Sequence, residues 1–525
     1  MARTLLRAAS ALLSGIAIWT SFPPLRWWPV AILGVAALTL SLRSAPSWKS
    51  AAGAGYLAGI GFWIPLMSFL RGGFGFAAWG AVAAFESLWF LLLALALRPV
   101  LRLRWWPLAT ALLWIGEEFL RDRLPFGGFP WGRLAFGQAN GPLLHLASLG
   151  GAPLVGFGVA LAGGLLAYAA ASKRPSMRTF VALDVVALVV AGPLLISLPT
   201  AGTTRGGAPA SAVVAAIQGN VPRLGLEAFA QKRAVTANHL AETEQLAAAV
   251  AEQRAPAPDF VVWPENSDDL DPRTDVVSHV AINQASAAIG VPILIGAVID
   301  ADSTHVQNAG IVWSPTAGPG QMYLKRHLVP FGEYLPFRGL MTAISGRFNL
   351  IAKDFLPGHR AGTLSIAGIP VADTICFEVA DDAVVRQAVT GGGRLLVVQT
   401  NNASYEQPGD SGNGGETAQQ LAIAQLRAVE HGRAVVVAAT SGVSAMIAPN
   451  GSILARTAVF QPAMLDRRMP LRDPRTIADR VGPWPEWLLS TAAGLVLALA
   501  YRRRRSLTRA DALDLNSTVT VTQSV

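Results

Sequence analysis

One cysteine in 525 residues, Cys376, leaves no intramolecular disulfide to build a fold on. Charge is scarce as well: Asp, Glu, Lys and Arg supply 14% of the chain, against about 25% in an ordinary soluble domain. No C-x-x-C, no H-E-x-x-H and no His/Cys cluster at ligand spacing occurs, so the motifs ask for no metal and no cofactor is expected. The formal charge is +9, but the arginines form no groove-lining run interleaved with aromatics, which argues against nucleic acid as a partner. What the chain has instead is apolar residues, 52% of the total and gathered into long runs. Its length exceeds what one compact core organises, so at least two folding units are expected.

Eight apolar segments come near the ~20 residues a helix needs to cross hydrocarbon: 5–22, 27–42, 52–70, 74–97, 105–120, 146–171, 179–198 and 484–501. The first, preceded by Arg3 and Arg7, lacks a small-residue cleavage site and reads as a retained helix. Arg43 and Lys49, then Arg98, Arg102 and Arg104, then Lys173, Arg174 and Arg178, and finally Arg502 to Arg505 fall on one side if all eight segments cross. That side is the cytoplasm, and the chain between the seventh and eighth spans then lies outside it. Intramembrane carboxylates are functional candidates by default, which singles out Glu86, Asp184, Glu117 and Glu118. The alternative for residues 117–123 is an ion-pair cluster at the outer interface. The loop 126–132, Phe-Gly-Gly-Phe-Pro-Trp-Gly, is expected at the outer membrane surface, lining a lipid entry path or anchoring the interface.

Residues 201–211 read as a flexible linker. Beyond them come short Val- and Ile-rich runs bounded by turn residues, at 211–218, 260–263, 292–299, 309–313, 322–324, 363–366, 371–375, 395–399 and 434–439. Helical patterns at 228–252, 274–288 and 417–431 alternate with them, so an α/β domain with a buried sheet is expected over 211–468. Residues 406–416 read as a mobile glycine-rich flap and 506–525 as a disordered cytoplasmic tail. The expected organisation is a helical membrane domain over 1–200, this α/β domain, and a last span at 484–501.

Three strand ends carry unusual residues: Glu265 after Trp263-Pro264, Lys325 after Met322-Tyr323-Leu324, and Cys376 after Thr374-Ile375. Singly, Glu265 and Lys325 read as solvated strand ends or a surface ion pair, and a free cysteine as a small buried hydrophobe. Together they supply what acyl transfer through a thioester needs. A carboxylate takes the thiol proton, and an ammonium favours the thiolate and then the oxyanion. His327 and His431 are rival bases but stand at no strand terminus.

Trp263-Pro264-Glu265, Lys325 followed by Pro330-Phe331-Gly332-Glu333-Tyr334, and Cys376-Phe377-Glu378, in that order between membrane helices, resemble the motifs of the apolipoprotein N-acyltransferase family, a membrane-bound branch of the nitrilase (carbon–nitrogen hydrolase) superfamily. The resemblance covers nearly the whole chain. It implies a multi-pass helical bundle of about eight spans carrying an extracytoplasmic α/β domain, a nitrilase-type α-β-β-α sandwich, at the inner membrane of a bacterium. It also implies roles: Glu265 as general base, Lys325 as oxyanion stabiliser, Cys376 as nucleophile, Glu333 as the carboxylate that orients Lys325 or assists proton transfer, and Glu378 as a support beside the nucleophile. Asn308 and Trp131 are further carry-overs. The implied reaction takes an acyl chain from a phospholipid, at sn-1, onto Cys376. It then passes that chain to the α-amine of a diacylglyceryl-cysteine on a lipoprotein, in a protein expected to act as a monomer. The chain departs from the pattern at Asn401-Asn402-Ala403-Ser404-Tyr405, where many members have Asn-Asp followed by Trp-Phe, and in the glycine-rich insertion that follows. Competing readings are a membrane-tethered amidase acting on a small amide and a non-catalytic scaffold.

Overall fold

The computed structural model describes the chain apart from residues 1, 173, 175, 205, 208, 222–231, 345–352, 406–414 and 523–525. The side chains of 2–3, 340–341, 344 and 505–522 also lie outside the description. All eight segments read as spans are helical. They are α1 (Ala2–Trp19), α2 (Trp28–Arg43), α3 (Trp48–Leu66), α4 (Leu70–Val100), α5 (Trp106–Arg121), α6 (Ala147–Ala171), α7 (Met177–Ala191) and, at the C-terminal end, α14 (Trp484–Thr522).

Three stretches, Leu70–Val100, Pro142–Ala171 and Met177–Leu195, are long and apolar enough to cross a membrane by length and composition. The remaining segments are shorter or carry more polar residues, so the eight-span reading is wider than what the helices show by themselves. The helices nevertheless turn large apolar side chains outward: Leu6, Leu13, Leu33, Leu92, Leu188, Leu195, Leu488 and Leu495 are all exposed. An apolar surface of that kind needs a cover. The tail read as disordered continues the last helix to Thr522. Its alanines and leucines are good helix formers and it contains no proline.

The α/β domain holds two sheets. The first contains β1 (Ser211–Gln218), β2 (Phe260–Val262), β3 (Ile293–Asp300), β4 (His305–Ser314), β5 (Gly318–Leu324), β6 (Asp354–Phe355) and β13 (Ala463–Pro470), in the order β13-β1-β2-β3-β4-β5 with β6 beside β4. The second contains β7 (Thr363–Ile366), β8 (Ile369–Ile375), β9 (Leu395–Thr400), β10 (Val435–Ala439), β11 (Ala445–Ile447) and β12 (Ile453–Arg456), in the order β12-β11-β10-β9-β8-β7. The helices of this domain are α8 (Lys232–Ala251), α9 (Val276–Ile289), α10 (Arg338–Ile344), α11 (Asp382–Thr390), α12 (Gly415–His431) and α13 (Ile477–Val481).

Side-chain alternation explains the layering. In β1, Ala212, Val214 and Ala216 join Val371, Ile375, Leu395 and Val397 in a core between the sheets. Ala215 and Ile217 face the other way, toward Leu246 of α8 and Ile282 of α9. On the far side, Leu396, Val398, Val435 and Val437 pack with Leu421 and Ala424 of α12 in one cluster that continues into the membrane helices. The order is therefore helices, sheet, sheet, helices, with the membrane bundle on the α12 side.

The two sheets approach closely at Gly310. A Cβ there would stand 2.2 Å from Asp373 Oδ2 and 2.7 Å from Gln399 Oε1. Asp373 is fully buried, and burial, then the neighbouring Glu378, push its carboxyl well above the usual range. Gly310→Ala is expected to force the sheets apart at a cost of about 1–3 kcal/mol, read as a lower midpoint in thermal unfolding.

Candidate active site

Lys325 and Cys376 directly follow strands β5 and β8, and Glu265 stands three residues beyond the end of β2. The chain leaves its sheet at those points, and side chains are freed from the alternation that would bury them in one layer. The structure brings the three together. Lys325 is 1% exposed, and its Nζ donates to Glu265 Oε1 at 2.9 Å and to Glu333 Oε1 at 2.8 Å. Asn308 Nδ2 donates to Glu265 Oε1 at 2.6 Å and reaches Glu333 Oε1 at 3.4 Å. The backbone N–H of Asn401 donates to Glu265 Oε2 at 2.9 Å, and that of Val329 to Glu333 Oε2 at 2.8 Å. Both carboxylates are thus aimed at the same ammonium by donors on other elements. Burial opposes the charge on Lys325, but Glu265 and Glu333 outweigh it and hold the ammonium well above the usual lysine range.

Cys376 opens a 3₁₀ turn, Cys376–Ala380, with φ at 54°, a conformation unusual for a residue with a side chain. Glu378 secures the turn from its N-terminal side. Its carboxylate accepts from Tyr323 Oη at 2.8 Å and from the N–H groups of Arg326 (2.7 Å), His327 (3.1 Å) and Ile375 (2.9 Å). Strained backbone that persists under this many constraints is a mark of functional sites. Cys376 is 8% exposed and shares the cluster between the sheets, so the reading of a small buried hydrophobe describes its packing. Its electrostatic surroundings are different: Glu265, Lys325 and Glu416 all act on its charge, and Gln420 Nε2 points at Sγ from 3.9 Å.

The sign of that field departs from the sequence expectation. Lys325 does favour the thiolate, but burial first, then Glu265, push the Cys376 thiol well above its ordinary value. The ammonium is shared between two carboxylates and has little attraction left for a third anion. The resting nucleophile is therefore a thiol, deprotonated as it attacks. Alkylation of Cys376 by iodoacetamide is expected to keep accelerating with pH beyond pH 9, with no plateau near neutrality; a plateau by pH 7 would show a preformed thiolate.

Trp131, the other carry-over, is buried against Phe377, the residue that follows the nucleophile. Its ring stacks on Phe377 at 5.9 Å, Phe129 stacks on the same ring at 5.8 Å, and His327 meets it edge-on at 5.3 Å. Gln419 accepts from Trp131 Nε1 at 2.7 Å. Of the aromatic residues in this loop only Phe126 stays exposed, against Phe331 and Phe337. In the cluster at 117–123, Glu117, Glu118 and Arg121 are buried while Arg123 stays exposed; Arg121 pairs with Glu117 at 3.0 Å, and Asp122 with Arg133 at 3.4 Å. Glu86 is buried in α4 and Asp184 exposed on α7. The rival bases are otherwise engaged, His327 with Asp381 at 2.7 Å and His431 with Asp479 at 2.6 Å.

Residues that the sequence reading passed over complete the site. Asn401, named only within the departure from the family pattern, had a readable signal, since it follows β9 as Cys376 follows β8. Gln419 and Gln420 had none, being ordinary polar residues of a helical pattern. Tyr405, noted only as a departure from the family, packs its ring on Phe69 and Phe74 at 5.6 and 5.7 Å and so ties the site to the start of α4. Most of the predicted flap at 406–416 lies outside the described residues; Gly415 and Glu416 begin α12.

Residues 14–165 match the apolipoprotein N-acyltransferase N-terminal domain, and residues 213–473 match the carbon-nitrogen hydrolase family. An apolipoprotein N-acyltransferase of Mycolicibacterium smegmatis is 42% identical over 512 residues, covering 94% of this chain and 84% of that protein. The chain belongs to the apolipoprotein N-acyltransferase family. A second relative of that name, from Pseudomonas putida, is 31% identical over 93% of this chain and 95% of its own length. The family thus spans the membrane helices and the α/β domain together, and the layered sheets are its nitrilase-type portion.

Proposed function

We propose that the protein N-acylates the N-terminal diacylglyceryl-cysteine of lipoproteins, using a phospholipid as acyl donor and Cys376 as the carrier. The observation that carries this reading is the convergence of Glu265, Lys325 and Glu333 beside a turn-presented thiol, in a chain of this family.

Glu265 takes the proton of Cys376 as the sulfur attacks the ester carbonyl of the donor, and Lys325 faces the oxyanion that forms. Collapse expels the lysophospholipid alkoxide, which takes the proton back from Glu265 and leaves a thioester. The acceptor amine then attacks the thioester carbonyl. The C–S bond breaks, an amide forms, and the proton lost by the amine ends on the thiolate. Glu333 and Asn308 hold Lys325 and Glu265 in place throughout.

Eight helices crossing the membrane, with the α/β domain on the extracytoplasmic side, place the site where both lipid substrates are anchored. A shared leaflet raises their effective concentration and removes most of the search. The outward-facing leucines and the distribution of basic residues support this topology.

The test supplies purified protein in vesicles with phospholipid labelled in its acyl chain and a diacylglyceryl-cysteine peptide. Labelled amide on the peptide, with one lysophospholipid per transfer, is expected. Release of ammonia from small amides without lysophospholipid would favour the tethered amidase and overturn the proposal.

A further inference from the structure

Glu378 secures only the start of the nucleophile turn, and its far end is held from a different part of the molecule. Arg427 of α12 is fully buried; its Nε donates to Val379 O at 2.7 Å and its Nη2 to Ala380 O at 2.8 Å. These carbonyls end the 3₁₀ turn and would otherwise lack partners. The Arg427 guanidinium is balanced by Glu430 and by Asp382 at 2.7 Å. Asp382 also accepts from Arg133 Nη1 at 2.9 Å, and Arg133 belongs to the loop that follows α5. Arg133 is 2% exposed and pairs onward with Asp122 at 3.4 Å and Glu118 at 3.7 Å. Both guanidinium groups lie against the Phe136 ring, at 5.8 and 6.0 Å. A continuous line of buried charge therefore runs from the last turn of α5 to the backbone of the turn that presents the thiol.

We propose that Arg427 and Arg133, joined through Asp382, are positioning residues: they lock the nucleophile turn to the membrane half, so that Cys376 is held at Lys325 and Glu265 only while the loop 122–133 is seated. This rests on the acyl-transfer reading for its rate effects, but the position of the thiol can be read without it. Burying three charges is costly unless each is paired, and here Arg427 turns its remaining donors on the two carbonyls that end the nucleophile turn. The parallel aromatic contact of Phe129 and Trp131 with Phe377 comes from the same loop, so seating the loop fixes the turn twice.

The test uses the full-length protein in phospholipid vesicles with Arg427→Lys, Arg133→Lys and Asp382→Asn. Arg394→Lys serves as the control, because it loosens a buried pair with Asp473 that does not touch the turn. Two readouts are followed: the rate of Cys376 acylation by labelled phospholipid, and the pH dependence of Cys376 alkylation by iodoacetamide. The relay predicts acylation slowed on the order of 10-fold or more with KM for phospholipid nearly unchanged, and a changed pH profile for alkylation, in the relay variants only. Asp382→Glu should recover part of what Asp382→Asn loses. If the relay variants differ from the control only in thermal midpoint, with alkylation profiles equal to wild type, the proposal is wrong. Should Arg427→Lys fail to fold, Arg133→Lys, at the distant end, decides by the same two readouts. If the wild type is not acylated at all, the alkylation profiles still decide the relay and the failure belongs to the acyl-transfer reading.

Discussion

Cys376→Ser is expected to fold, to insert in membranes and to transfer no acyl chain at a measurable rate. The substitution keeps the shape of a residue that is already 8% exposed, and the hydrogen bonds of Glu378 and Arg427 that hold the turn involve no atom of the Cys376 side chain. Thermal stability should therefore change little. The chemistry should not survive. Glu265 can take a proton from a thiol as the sulfur attacks, but a hydroxyl in the same place holds its proton far more tightly and attacks far less readily. A loss on the order of 10³-fold or more follows from removing a nucleophile that acts as a unit with its base. Turnover within tenfold of wild type would remove Cys376 from its role.

Lys325→Met is the second large effect, and it should appear in stability as well as in rate. The ammonium sits between Glu265 and Glu333, at 2.9 and 2.8 Å, with 1% of its surface exposed. Removing it leaves two carboxylates facing one another out of water, and breaking a buried pair in this way costs about 3–5 kcal/mol. Acylation should fall on the order of 10²-fold or more through loss of the charge facing the oxyanion. The two effects can be separated. Lys325→Met combined with Glu333→Gln should regain much of the stability, because one of the stranded charges is gone, and none of the rate. The pH dependence has a definite direction: the folded protein holds the Lys325 proton more tightly than the unfolded chain does. Its stabilisation is therefore complete below about pH 10, the ordinary lysine range, and is lost as pH rises through the higher folded value. Melting of the wild type between pH 7 and 9 should show no contribution from this group.

Strand-end residues were the most legible part of the site. Glu265, Lys325 and Cys376 each interrupt an apolar run with a residue that a core does not want, and the structure gathers all three. Strands β1 and β8 were legible as short apolar runs containing Val and Ile, because burial on both faces leaves no polar alternation in the chain. The direction in which the Cys376 thiol is pushed was not legible, because it depends first on how deeply the fold buries the sulfur and then on how close Glu265 comes to it. The fate of residues 117–133 was hidden for a related reason. The charges at 117–123 read as functional carboxylates or an ion-pair cluster and the loop 126–132 as a lipid path or an interface anchor, and the partners that hold Arg133 and Trp131 inward, Asp382, Gln419 and Phe377, lie far downstream. Glycine and proline in the helices made span lengths hard to read, and α4 and α6 are in fact kinked at Gly75 and at Gly150 and Gly151.

Intact-protein mass spectrometry after exposure to a phospholipid of defined acyl chain, with no acceptor present, tests the central claim most directly. The account predicts one added acyl group per chain, mapped to Cys376, removed by neutral hydroxylamine as a thioester is and absent from Cys376→Ala. An unmodified wild-type chain in vesicles where lysophospholipid accumulates, or an acyl group that persists in Cys376→Ala, would contradict it.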